Sequence, residues 1–318
     1  MNAPERHLPL AEKTAAASEP RPLLGIACKV TSVVIFVMMS TLLKAAEGVP
    51  SGEMVFFRSF FAIFPVIAYL AYTHQLKGAM RTQDIFGHVW RGVIGTVSMM
   101  CGFYALTLLP LPETIAINYA SPLMIVVLSA VFLHEKVRAY RWSAVIIGFI
   151  GVLIIVWPRL SLFSHGGFTQ SEASGAVFAL MGALSSAVAM MLVRKLVRVE
   201  RTATIVIYFS LTSTVMALFT LPFGWVVPQM WQLALLIAAG FAGGIAQIFL
   251  TECYRHAEMS TIAPFEYTSM LLGLVIGYVI FGDVPTMQML LGSSIVIAAG
   301  IFIIYREHKL SGRKFRRS

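Results

Sequence analysis

The sequence predicts an all-α integral membrane protein, with ten transmembrane helices arranged as two inverted five-helix repeats. Three observations carry this. Of 318 residues, 58% are hydrophobic and only 12% are charged, about half the charge fraction of a typical soluble domain. Ten apolar runs recur along the chain, each long enough, or nearly so, to cross about 30 Å of hydrocarbon. Basic residues gather in alternate gaps between those runs.

The runs cover residues 22–44, 53–73, 86–108, 112–133, 140–157, 173–193, 202–221, 230–254, 258–281 and 287–305. None alternates with period two. A backbone in lipid must satisfy its polar groups within its own segment, so each run reads as a helix. A soluble chain this apolar would expose large adhesive patches.

The gaps give the orientation. Lys77, Arg81 and Arg91 follow the second run, and Lys136, Arg138 and Arg141 the fourth. Arg194, Lys195, Arg198 and Arg201 follow the sixth, and Arg255 the eighth. Arg6, Lys13 and Arg21 precede the first run; Arg306, Lys309, Arg313, Lys314, Arg316 and Arg317 follow the last. In the other gaps Arg159 is the one clear basic residue. Basic loops stay cytoplasmic, so both termini are expected there. The 24 Lys and Arg against 15 Asp and Glu are therefore spread for topology, which argues against a nucleic-acid partner. Cys28, Cys101 and Cys253 lie inside apolar runs, where a disulfide framework is not expected. Met1 to Pro20 lacks the apolar core of a signal peptide. The expected division is a tail over 1–21, a first repeat over 22–157, a second over 173–305 and a basic tail over 306–318.

Sliding the chain on itself by about 150 residues brings Gly25 onto Gly175, Lys44 onto Arg194 and Tyr104 onto Tyr254. A two-residue slip then brings Tyr119 onto Tyr267, Ser121 onto Ser269 and Glu135 onto Asp283. Five spans per half is an odd number, so the halves insert with opposite orientation. Inverted repeats of this kind recur in secondary transporters, around a site near the midplane.

Several segments carry a resemblance. They are Phe103-Tyr104-Ala105-Leu106, Leu111-Pro112-Glu113-Thr114, Ala120-Ser121-Pro122-Leu123 and His134-Glu135-Lys136 in the first half. Ala263-Pro264-Phe265-Glu266-Tyr267-Thr268-Ser269 and Phe281-Gly282-Asp283 carry it in the second. In these the chain resembles the drug/metabolite transporter superfamily, in its two-repeat EamA-type members, from about Leu23 to Tyr305. The resemblance implies a ten-helix bundle in a bacterial inner membrane, a central cavity between the halves and alternating access. It implies a small-molecule substrate, with riboflavin, S-adenosylmethionine and amino acids as the classes carried by such proteins. It implies no cofactor and no particular oligomer.

Ionisable groups inside a span are costly and are functional candidates by default. Glu266 is foremost. Pro264, two residues before it, cannot donate to the helix and interrupts it. Glu266, Ser269, Gly273 and Gly277 share one helix face by their spacing, either a binding face or a packing face of small residues. Span four repeats the device with Asn118, Tyr119, Ser121 and Pro122, Asn118 being the pseudo-symmetric partner of Glu266. Arg58 in span two either faces the cavity toward an anion, or pairs with Glu53 or snorkels; the second is favoured. Lys29 in span one either lines the cavity or reaches back to the interface. Lys44, Glu47, Glu135 and Asp283 read as anchors or caps, and Glu252 and Arg255 as a pair. Tyr104 with Tyr254, and Tyr119 with Tyr267, could stack on a planar heteroaromatic substrate, which tilts the choice toward riboflavin uptake. S-adenosylmethionine uptake and metabolite export are the alternatives.

The motifs of the competing classes are missing. The chain has no HExxH, GxSxG or Walker sequence, hence no expected catalytic residue, metal ligand or ATPase. A channel would show rings of charge or a filter, and neither is evident.

Overall fold

Among the described residues each apolar run is helical, the fourth and ninth with a break, in the computed structural model, which describes residues 22–74, 76, 78–132, 139–160, 170–257 and 259–315. The helices are α1 (Pro22–Ala45), α2 (Ser51–Tyr72), α3 (Ile85–Leu108), α4 (Leu111–Asn118), α5 (Ala120–Phe132), α6 (Ala139–Leu160), α7 (Gln170–Leu196), α8 (Thr202–Leu218), α9 (Met230–His256), α10 (Met259–Ile262), α11 (Thr268–Phe281) and α12 (Met287–Phe315). Seven stretches are long and apolar enough to cross a bilayer, counting Leu111–Phe132 as one across its break. Three shorter apolar helices, Thr202–Leu218, Phe265–Phe281 and Met287–Ile303, complete the ten spans. The 17 residues of α8 rise only about 25 Å, and a 3₁₀ turn at Leu221–Phe223 extends them. The expected tail 1–21 and the segment His134-Glu135-Lys136 lie outside the described residues. α12 is helical from Met287 to Phe315, so it runs into the segment expected as a basic tail.

Packing follows the inverted repeat. Span one lies on span eight (α1 on α9), as span three lies on span six (α3 on α7). Spans two and seven, four and nine, and five and ten pack on their own counterparts across the pseudo-twofold axis. Lipid gives little hydrophobic drive for helices to associate, so close approach must come from small residues. A Cβ on Gly244 of α9 would stand 2.7 Å from the Ala62 carbonyl oxygen and 2.7 Å from Pro65 Cγ on α2. A Cβ on Gly151 of α6 would stand 2.8 Å from the Gly292 carbonyl oxygen on α12.

Two buried apolar clusters flank the centre. One joins Ile117, Tyr119, Leu123, Val152, Ala179 and Met270; the other joins Leu43, Met54, Phe103, Leu111 and Leu236. At the end of the bundle where α3 and α8 begin, buried Glu200 ties two connections together. Its Oε1 accepts from Thr82 Oγ1 and from the Gln83 backbone, each at 2.7 Å. At the opposite end Gly282 closes α11 with φ 68°, the left-handed conformation that suits a glycine cap.

Candidate functional site

Spans four and nine both break, and proline is the reason. Pro122 has no N–H for the carbonyl four residues before it, which is that of Asn118. The helix ends at Asn118 and restarts at Ala120, with the Tyr119 N–H turning to the Ala116 carbonyl at 3.2 Å. Pro264 lies within a 3₁₀ segment, Ala263–Tyr267, between α10 and α11.

The two breaks meet. Tyr119 Oη and Ser269 Oγ are 2.7 Å apart, and Ser269 Oγ donates to the Glu266 carbonyl at 2.7 Å. The rings of Tyr119 and Tyr267 stand edge to face with centroids 5.2 Å apart. Farther along α11, Gly273 and Gly277 lie against Ile115 and Pro112. The face shared by Glu266, Ser269, Gly273 and Gly277 is therefore polar at its start, where Glu266 and Ser269 line the cavity, and packs against span four beyond.

Between the repeats is a cavity of about 350 Å³, within the range of small-molecule sites. Arg58, Asn118, Tyr119, Ser121 and Pro122 line it from the first repeat, with Lys29; Gln247, Tyr254, Glu266 and Ser269 line it from the second. Lys29, 2% exposed, forms an ion pair with Glu266, whose side chain is 41% exposed. The lysine belongs to the first repeat and the carboxylate to the second, so one ion pair closes across the cavity. Of the two placements open for Lys29, the cavity is the one adopted.

Arg58 departs from expectation. It neither pairs with Glu53 nor snorkels: it is 2% exposed, and its Nη2 donates to Gln247 Oε1 at 3.3 Å and to the Gly243 carbonyl at 3.4 Å. Glu53 accepts instead from the Val226 N–H at 3.1 Å. The reason is steric. Gly243 has no side chain to exclude the guanidinium, since a Cβ there would lie 2.9 Å from Arg58 Nε. Arg58 also lies 5.3 Å from the centroid of the Phe209 ring.

Arg91 was missed. Assigned from the sequence to a basic gap, it sits in the second turn of α3, buried, 4.0 Å from the same Phe209 centroid. Its position inside the run 86–108 was the available signal. Tyr267 packs behind Tyr119 and does not line the cavity. Tyr254 does line it, whereas its counterpart Tyr104 is exposed and meets Phe178 edge to face. Lys44 anchors to the Leu109 carbonyl at 2.7 Å, Asp283 accepts from the Leu111 N–H at 3.3 Å, and Glu252 meets Arg255 at 4.0 Å.

Comparison with known proteins agrees with this geometry. A model described as the EamA-like transporter family matches residues 23–157 and again 173–306. The S-adenosylmethionine uptake transporter of Rickettsia felis is 27% identical over 83% of this chain and 86% of its own. The pseudopaline exporter CntI of Pseudomonas aeruginosa is 30% identical over 87% of this chain and 94% of its own. The riboflavin transporter of Vibrio cholerae is 28% identical over 92% and 97%. A solved crystal structure superposes with a TM-score of 0.65 at 18% identity, over 90% of this chain and 98% of its own.

Proposed function

The chain belongs to the EamA-like transporter family, and from that premise we propose a secondary carrier that moves one small organic metabolite by alternating access. It is a multi-pass inner-membrane transporter of a small molecule, not an enzyme. The orientation proposed has both termini in the cytoplasm, with repeats over 22–157 and 173–305. Reporter tags fused after Arg138 and Arg198 should then report cytoplasmic; periplasmic signals at both would overturn it.

The observation that carries the reading is the Lys29–Glu266 pair closing across a cavity built from both repeats. A substrate that exchanges with that pair couples its own binding to the approach of the two halves. Glu266, Asn118, Tyr119, Ser121, Ser269 and Arg58 are the side chains proposed to hold it. Pro122 leaves the Asn118 carbonyl without a helical partner there, and Tyr267 acts only by backing Tyr119.

Charges on the cavity wall favour a charged metabolite. S-adenosylmethionine carries a sulfonium and an ammonium for Glu266, a carboxylate for a cationic wall, and an adenine for the tyrosines. We therefore propose S-adenosylmethionine uptake as the first reading, the direction being that in the name of the Rickettsia felis relative. Riboflavin uptake, which the tyrosines suggested from sequence, is the second; Tyr119 and Tyr254 at the cavity are the observation for it. Metabolite export is the remaining alternative. Proteoliposomes preloaded with unlabelled compound should take up the labelled form by counterflow. Counterflow of neither S-adenosylmethionine nor riboflavin would remove both assignments.

A further inference from the structure

We infer that Arg58, which lines the cavity, and Arg91, which lies directly behind the lining residues Gly95 and Phe209, form an oxyanion clasp at the cavity wall, for a carboxylate or phosphate of the substrate. The inference rests on the carrier reading above and adds Arg91, Phe209, Gly95 and Gly243 to the site. The side chains are 2% and 6% exposed, deep in spans two and three. Among the described residues neither has a carboxylate within ion-pair distance, and Nε and Nη1 of both lack any hydrogen-bond partner. The two bonds Arg58 does make, at 3.3 and 3.4 Å, are long for a charged donor.

Two buried, unanswered guanidiniums are a costly arrangement. They are held so that an anion can enter between them, and their planar forks match an oxyanion better than a lysine would. The lysine of the same cavity is paired with Glu266, whereas neither arginine has a carboxylate partner among the described residues. Phe209, which lines the cavity, offers its ring at 5.3 Å to one guanidinium and 4.0 Å to the other, which holds both in place through cation–π attraction. Glycines give the room. A Cβ on Gly95, a cavity-lining residue, would fall on Arg91 Nη1. Arg91 does not itself line the cavity, and Gly95 leaves no side chain between it and the lumen. The arginines come from the first repeat, and Phe209 and Gly243 from the second, so the clasp straddles the surface along which the halves must move.

The test uses purified full-length protein and two pairs of probes that differ by one anionic group. One pair is S-adenosylmethionine and its decarboxylated form; the other is riboflavin 5′-phosphate and riboflavin. In equilibrium binding the anionic member of at least one pair should bind roughly ten- to a hundredfold more tightly, the range expected when a charged hydrogen bond is lost. Arg58→Gln and Arg91→Gln should each abolish that preference, the loss of affinity falling chiefly on the anionic member. Their melting points should not fall, because an unanswered buried charge has been removed. Arg91→Lys keeps the charge and serves if a glutamine variant does not fold; it should lose most of the preference. Equal affinity within both pairs, including none at all, overturns the clasp, as does a preference that survives these substitutions. Counterflow with no anion preference overturns the clasp alone. Anion preference without counterflow supports the clasp and counts against the carrier reading.

Discussion

Replacing Glu266 by glutamine leaves the Lys29 ammonium, 2% exposed, facing a neutral amide across the cavity. Removing one partner of a fully buried pair costs about 3–5 kcal/mol, and an exposed pair contributes about 0–1 kcal/mol. Glu266 stands between these limits, with 41% of its side chain exposed. The expected loss of stability is therefore about 1–3 kcal/mol. The Lys29→Met, Glu266→Gln double variant should be more stable than Glu266→Gln alone, because no buried charge is left unanswered. Melting of detergent-purified protein reads stability, and counterflow in proteoliposomes reads transport. Glu266→Gln protein should insert and lose most counterflow, and the double variant should recover stability but not transport. Near-normal counterflow by inserted Glu266→Gln would refute the transport role. Additive stability effects of the two substitutions would refute the pair.

Three further outcomes follow from the geometry. Gly244→Ala drives a Cβ to 2.7 Å from the Ala62 carbonyl and 2.7 Å from Pro65 Cγ; the backbone of α2 can yield little, so the variant should melt lower by about 1–3 kcal/mol of overpacking. Unchanged melting would mean that the two helices approach less closely. Glu200→Ala removes the acceptor shared by Thr82 and Gln83 and should speed tryptic cleavage at Arg81 severalfold, read by timed digestion and mass spectrometry. Tyr119→Phe loses the hydroxyl contacts to Ser269 and to the Glu266 carbonyl, worth about 1 kcal/mol. Tyr119→Ala should weaken substrate binding by a further tenfold or so if the ring stacks on a base, as a labelled-ligand isotherm would reveal.

Much of the architecture was legible because hydrocarbon imposes one-dimensional rules. A spanning segment must be apolar for about 20 residues and must satisfy its own backbone, so the expected run 230–254 is the helix Met230–His256, and 86–108 is Ile85–Leu108. The breaks at Pro122 and Pro264 were equally local, since a missing N–H acts within one turn. So was the candidacy of Glu266, a carboxylate at membrane depth.

Pairing between helices was not legible. Sequence spacing suggested Glu53 for Arg58, yet the arginine turns to Gly243 and Gln247, 185 and 189 residues away. Lys29 left two placements open because its partner lies 237 residues on. The span positions and the proline breaks are therefore properties of the sequence itself. Which face of each helix meets the cavity, and so the Lys29–Glu266 pair and the two arginines around Phe209, was decided only in three dimensions. The physical reason is that small residues such as Gly95, Gly243 and Gly244 fix each helix's rotation through contacts with partners far along the chain, and a pattern read one segment at a time contains no record of which partner that is.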